Sequence, residues 1–275
     1  MIAGETTLNI QSEAGMRGKR ARPLGSLIGI VVRPRRTFRA LSQSTRTWWW
    51  LPALLMVLTI VAFTYTYAFA FAQVMYQQQL DLYEQTPEQD RGFIPEPEFR
   101  MTPAISLVIR GGGKTLSMVV TWLVWAGTLT LAASLLGAPS LSFGRALALY
   151  AWSSVPIVIR GIAQSVYMAA TKTPIYNAGL SGLIVDQAPP PMVMGPQRRM
   201  PAIPTQGEVA LASVLGHLDL FTLWHLGLLV MGLMICARWR RNRALLTVIG
   251  IALIVAAAGG GLAMLGGAFG RFRLF

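Results

Sequence analysis

The chain has 275 residues, of which 53% are hydrophobic and only 13% are charged. Its mean hydropathy of +0.50 is too high for a soluble single domain of this length, so the composition excludes that class and indicates an integral membrane protein. The formal net charge of +13 does not predict a nucleic-acid partner, because the basic residues gather at the ends of apolar runs.

The region ahead of the first long apolar run divides into two parts. Residues 1–23 form a basic, polar tail that we expect in the cytoplasm, and residues 24–47 form a juxtamembrane segment. The apolar stretch 24–32 follows a basic region and so imitates the core of a signal peptide. It runs into Arg33 and Pro34 without a small-residue cleavage site, so we expect the segment to be retained.

The juxtamembrane segment has the pattern of an amphipathic helix that lies in the membrane interface. Pro34 suits the first helical position, and Phe38 and Leu41 would then share one face. The opposite face carries three arginines, Arg35, Arg36 and Arg39. Three tryptophans that favour headgroup depth follow them: Trp48, Trp49 and Trp50. The alternative is a basic juxtamembrane stop signal that forms no interfacial helix.

The rest of the chain predicts an all-α membrane domain over residues 48–270. A bilayer core of about 30 Å requires about 20 apolar residues per helix. Five segments meet that requirement, and they predict a bundle of about five transmembrane helices: 48–72, 115–136, 146–170, 215–237 and 245–269. Two long connections, 73–114 and 171–214, separate them; the first is acidic and the second is rich in proline, which favours extended chain.

The distribution of lysine and arginine predicts the orientation of this bundle. Basic residues dominate the region before the first span and the connection between the fourth and fifth spans, whereas the loop 73–114 carries an excess of acids. Because cytoplasmic flanks are enriched in Lys and Arg, we expect the N-terminus in the cytoplasm and the C-terminus outside. The loops 73–114 and 171–214 would then face outward, from a multi-pass protein of the cell (plasma or inner) membrane.

Three stretches, in order, resemble the Yip1 domain as it occurs in prokaryotic proteins. The first is the entry to span one, where residues 33–41 are followed by Trp-Trp-Trp-Leu-Pro at 48–52. The second is Ala-Trp-Ser-Ser-Val-Pro at 151–156, and the third, the most specific, is Leu-Asp-Leu-Phe-Thr-Leu-Trp at 218–224. The resemblance extends over residues 24 to 265 and departs from the family in the two long outer loops.

This resemblance implies a five-helix membrane architecture and leaves the activity open. Eukaryotic members of the family are associated with Rab GTPases and vesicle traffic, whereas prokaryotic members lack an agreed activity. Rab binding is not carried over, because the N-terminal region of this chain shows no residues for it.

Ionisable residues at membrane depth are costly, so they mark candidate functional positions. Arg160 in the third span and Asp219 near the start of the fourth are expected at similar depth, with His225 close by. One interpretation pairs Arg160 with Asp219 between the two helices. In the other, Asp219 caps the fourth helix at the interface while Arg160 extends independently towards the headgroups.

No cofactor or metal is predicted. His217 and His225 with one carboxylate are too few ligands for a metal site, and Cys236 is the only cysteine. The segment 111–115, Gly-Gly-Gly-Lys-Thr, lacks the first glycine of a phosphate-binding loop, since Val108 stands there. Interfacial or inter-helix hydrogen bonding is therefore the expected role of the histidines.

Several residues in the spans are predicted to serve helix packing. Pro156 falls inside the third span, where Ser153 and Ser154 would satisfy backbone groups that the proline frees. Gly266 and Gly270, four residues apart, permit a close helix contact within the chain or in a dimer.

The sequence favours a non-enzymatic membrane scaffold that organises membrane partners or lipid, with anionic headgroups on the basic cytoplasmic face and other membrane proteins or a second copy as partners. The alternative is a small permease or an accessory subunit of an exporter, with Arg160, Asp219 and His225 along a polar path. An enzyme is not expected, because HExxH, GxSxG and paired intramembrane aspartates are absent from the sequence.

Overall fold

A computed structural model describes residues 23–43, 48–93, 95–137, 141–176, 179, 211, 215, 216 and 219–272, and within these it describes the side chains of residues 25–257 except residue 93. Within these residues the regular elements are all helical: α1 Pro23–Val32, α2 Pro34–Gln43, α3 Trp50–Gln85, a 3-10 turn Glu88–Phe93, α4 Ala104–Leu135, α5 Phe143–Ser153, α6 Val155–Thr171, α7 Leu220–Cys236 and α8 Arg241–Phe272.

The apolar helices confirm an all-helical membrane protein. Helices α3 and α4 are long and apolar enough to cross a bilayer, and so is the continuous stretch 143–171 that α5 and α6 form. Helix α7 is apolar but has only 17 residues. Beyond residue 257 the side chains of α8 lie outside the described part. The number of five spans therefore stays a prediction.

The connection predicted as a long outer loop, 73–114, is mostly helix. Helix α3 continues to Gln85, so its 36 residues extend about 54 Å at 1.5 Å per residue, well beyond the apolar core of a bilayer. Helix α4 begins at Ala104, which leaves 86–103 as the connection. Hydropathy predicts where the chain leaves the apolar core of the bilayer, but it does not predict where the helix ends. Helix α3 continues past that point because Gln, Glu and Leu are good helix formers. The other predicted loop, 171–214, lies largely outside the described residues.

The connection after α3 packs back onto that helix. The ring of Phe99 lies edge-on to Phe69 and to Tyr76 of α3, with centroid distances of 6.0 and 6.2 Å. Arg91 Nε donates to the carbonyl oxygen of Thr86 at 3.0 Å, which satisfies a backbone group just past the helix end.

The α5–α6 segment lies at the centre of the bundle. In its most apolar window 61% of the residues are buried inside the protein, against 28% for the windows of α3 and α4. Helix α5 packs on α4 and α7, while α6 packs most extensively on α3 and also contacts α7. Trp152 is fully buried at this centre. The outer faces of α3 and α4 are left to contact lipid.

A break at Ser154 separates α5 from α6, two residues before Pro156. Proline has no N–H, so the carbonyl of Trp152 loses its helical donor. The hydroxyls of Ser153 and Ser154 donate instead to the Tyr150 carbonyl, at 2.8 and 2.9 Å. The prediction that these serines satisfy the backbone freed by the proline is therefore wrong: they bond one turn back, as Ser commonly does in helices.

Helices α1 and α2 pack on each other and on the bundle, with α1 on α6 and α2 on α7. Helix α2 begins at Pro34 as expected. Its apolar face does not lie in the headgroups alone, because Phe38 is only 1% exposed and belongs to the central core. Burial of the apolar face still determines where α2 lies, but protein covers that face instead of lipid headgroups.

Candidate functional site

Arg160 and Asp219 form an ion pair between α6 and α7. An Arg160 Nη1 hydrogen bond to Asp219 Oδ2 joins them, and their side chains are 24% and 15% exposed. Asp219 also caps α7, because its Oδ1 accepts from the Thr222 backbone N–H at 2.7 Å. Asp219 thus pairs with Arg160 and also caps α7, because each carboxylate oxygen serves one partner; Arg160 does not extend independently of it.

The pair leaves part of the guanidinium unsatisfied. Arg160 Nε is buried and has no hydrogen-bond partner among the described residues. A guanidinium carries five N–H donors, and an unpaired donor in an apolar setting is costly. This donor is therefore the position in the site where an additional acceptor would be stabilised.

His225 occupies a second location, separate from the ion pair. It lies six residues after Asp219 on α7, about 9 Å further along the helix axis. The imidazole is 3% exposed and meets the Tyr150 ring edge-on at 5.1 Å. The predicted cluster of Arg160, Asp219 and His225 is thus divided, because six residues carry His225 nearly two turns deeper along α7.

Aromatic rings fill the space around His225. Tyr150 stacks on Trp125 at 5.2 Å and meets Trp122 edge-on at 6.2 Å. Neither ring nitrogen has a hydrogen-bond partner among the described residues. The imidazole is therefore a packing group among aromatic rings in this structure.

The described residues hold no group of three His, Cys, Asp or Glu side chains that could bind a metal. His217 lies outside them. Cys236 is described as a free thiol at the end of α7.

Two glycines mark the closest helix contacts. A Cβ added at Gly161 of α6 would overlap Thr59 Cγ2 of α3, and one added at Gly232 of α7 would overlap Leu149 Cδ1 of α5. The sequence reasoning missed both. The sequence contains a signal that could have identified them, because each is a small residue inside an apolar run. The packing of Gly266 and Gly270 lies outside the described side chains, whereas Pro156 is fully buried.

The residues predicted to lie at the membrane interface are in α2 and at the start of α3. Trp49 and Trp50 are exposed, while Trp48 is half-buried and packs on Trp50 at 5.9 Å. The three arginines of α2 are all exposed: Arg35, Arg36 and Arg39. Arg35 and Arg39 share one groove with Arg241, the first residue of α8. The two basic segments that the sequence placed in the cytoplasm therefore meet at one end of the bundle.

Comparison with known proteins gives one match. The family model of the Yip1 domain matches residues 28–263, which is most of the chain. No curated protein and no solved structure matches it.

Proposed function

The chain belongs to the Yip1 domain family, and we propose that it is a non-enzymatic, multi-pass scaffold of the cell membrane that gathers other membrane proteins or lipids. In this proposal five helices cross the bilayer, with the N-terminus in the cytoplasm and the C-terminus outside.

The observation that carries the scaffold proposal is the contrast between the interior and the outer faces of the helices. The polar interior at His225 is packed among aromatic rings, and Ser153 and Ser154 have exposures of 0% and 1%. Helix α4, by contrast, exposes a broad apolar face, which includes Leu116, Val120, Leu123, Val124 and Leu131. An outward apolar face suits contacts with membrane partners, and a closed interior does not suit a transport path.

The meeting of two basic segments at one end supports the orientation. Arg35 and Arg39 on α2 lie beside Arg241 on α8, so a single membrane face would carry the positive charge. Anionic headgroups of the cytoplasmic leaflet attract such a face.

A second candidate function, a small permease or an accessory subunit of an exporter, is favoured by Arg160. Its side chain is 24% exposed and its Nε lacks a described partner. A polar solute or a partner's carboxylate is the kind of group that would complete this guanidinium.

Cysteine accessibility distinguishes the two functions. Cys236 is the only cysteine, so Cys236→Ser provides a background for single cysteines. In reconstituted protein, a cysteine at Ile157, one turn from Arg160 on α6, should react slowly with a membrane-impermeant maleimide if the interior is closed. A cysteine at Glu98, on the exposed connection, is the control for rapid labelling. Rapid labelling at position 157 from either side would contradict the scaffold proposal and favour transport.

Partner capture tests the scaffold directly. The tagged full chain is extracted from native membranes in polymer nanodiscs, with an unrelated multi-pass protein under the same tag as the control. We expect a membrane protein to co-purify in a fixed ratio with the chain and to be absent from the control. Co-purification of an ATPase whose activity depends on the chain would support the exporter subunit. Finding no specific protein or lipid would contradict the scaffold.

A further inference from the structure

A groove of about 520 Å³ lies between the basic helix α2 and one face of α7. Arg35 and Arg39 of α2 and Arg241 at the start of α8 are among the residues that line it. Residues i and i+4 share a helix face, so Arg35 and Arg39 point to the same side of α2. Three like charges are thereby gathered at one opening.

These three arginines have no counter-charge in the described part of the chain. The ion pairs found there join Arg100 to Glu98 and Arg160 to Asp219, and neither pair lies at the groove. Like charges gathered without a counter-ion repel one another, so an anion bound between them would be stabilised.

The wall that faces the arginines is apolar. Gly227, Met231 and Met234 of α7 are spaced at i, i+4 and i+7, which puts them on one face over about 10 Å of helix. Gly227 leaves room in this wall, because a Cβ added there would meet no atom within 4 Å. Methionine side chains adapt to irregular apolar partners. The groove therefore combines a cationic opening with an apolar slot.

We propose that this groove binds one anionic phospholipid, with its phosphate at Arg35, Arg39 and Arg241 and an acyl chain along Gly227, Met231 and Met234. The inference deepens the proposed scaffold function, on whose cytoplasmic basic face it rests. A free phosphate would use the arginines alone and leave the slot empty. A phospholipid complements both parts, as basic pockets between membrane helices commonly do.

The charge arm of the test compares two triple variants of the full chain in mild detergent. R35Q/R39Q/R241Q removes the cationic opening, and R238Q/R240Q/R243Q removes three exposed arginines of the same region that do not line the groove. Native mass spectrometry follows titration with phosphatidylglycerol and with phosphatidylcholine of equal chain length. We expect the groove variant to bind phosphatidylglycerol at least about tenfold more weakly, and the control to bind it like wild type.

The apolar arm keeps all the charges. Gly227→Phe fills the slot, and it should weaken phosphatidylglycerol binding while leaving the thermal midpoint close to wild type, because space is open at that position. Millimolar inorganic phosphate should not displace the lipid from wild type.

Three results would overturn the lipid site. They are equal losses in both triple variants, equal affinity for phosphatidylcholine, or displacement by inorganic phosphate together with full binding by Gly227→Phe. The scaffold proposal is judged separately, because co-purification of membrane proteins with wild type does not depend on these variants.

Discussion

At the residue scale, the Asp219 carboxylate links two helices through two separate bonds. One oxygen accepts from Arg160 of α6 and the other caps α7 at Thr222. Removing one partner of a partly buried ion pair leaves an uncompensated charge, which costs more than the pair itself contributes. The site therefore couples the position of α6 to the beginning of α7.

We expect Arg160→Ala and Asp219→Ala each to lower the free energy of unfolding in detergent. The double variant should lose about 1–2 kcal/mol less than the sum of the two single-variant losses. Asp219→Asn should lose less than Asp219→Ala, because asparagine still caps the helix, a contribution of about 1 kcal/mol. Equilibrium unfolding followed by circular dichroism measures these differences.

The Arg100–Glu98 pair is a matched control for this cycle. Its side chains are 82% and 63% exposed, although Arg100 Nη2 and Glu98 Oε2 are 2.7 Å apart. Water screens such a pair, so its coupling should stay below about 1 kcal/mol. Additive losses at Arg160 and Asp219 would show that the described contact does not stabilise the fold.

Gly161 is the residue on which the contact between α3 and α6 depends. Thr59 lies against it and is held in place, because its hydroxyl donates to the Leu55 carbonyl at 2.8 Å. We expect Gly161→Ala to destabilise the protein by about 1–3 kcal/mol, since the added methyl overlaps Thr59 Cγ2. Thermal unfolding in detergent gives the shift.

The added substitution Thr59→Ser should recover most of that loss, because it removes Cγ2 and keeps the hydroxyl. Gly127→Ala is the control on α4, where a Cβ would meet nothing within 4 Å. It should be neutral or should stabilise by up to about 1 kcal/mol through helix propensity. A Gly161→Ala protein as stable as Gly127→Ala would show that the two helices do not pack this closely.

At the element scale, α2 is held to the bundle by Phe38. This ring is 1% exposed, and a Cβ added at Gly232 of α7 would lie 3.2 Å from its Cε1. Phe38 therefore anchors the helix to protein, while the neighbouring arginines of α2 stay exposed. The lipid groove depends on this docking, because α2 supplies two of its three arginines.

We expect Phe38→Ala to lower the unfolding free energy by about 3 kcal/mol and to make residues 23–43 more accessible to trypsin, which cleaves after the exposed arginines of α2. Limited proteolysis followed by mass spectrometry measures the second effect. Phe143→Ala is the control, because Phe143 is 44% exposed and should change neither quantity by much. Unchanged cleavage in Phe38→Ala would contradict the docking of α2.

At the scale of the whole molecule, the proposed orientation predicts where inserted reporters are active. A fluorescent protein at the N-terminus or in the connection between α7 and α8 should fold and fluoresce in the cytoplasm. Alkaline phosphatase fused within 86–103 or at the C-terminus should be active outside. A C-terminal fusion that reports the cytoplasm would mean an even number of spans, in which α8 does not cross the bilayer.

The amino-acid sequence by itself determined the class of the protein and its family. Length, hydropathy and the position of basic residues depend on how each segment partitions between water and lipid, which is a local property. The same reasoning located α2 at Pro34 and selected Arg160 and Asp219, because charges inside apolar runs are costly wherever the run packs. The family resemblance, carried by short stretches such as 218–224, is confirmed by the match over 28–263.

Only the tertiary structure decided how these parts meet. The burial of Phe38 and the contact of His225 with Tyr150 depend on which faces of the helices come together. The same holds for the contacts at Gly161 and Gly232 and for the groove that joins Arg35 and Arg39 to Arg241. Each contact joins residues far apart in the chain. Local periodicity gives a helix its faces, whereas packing chooses the neighbour of each face.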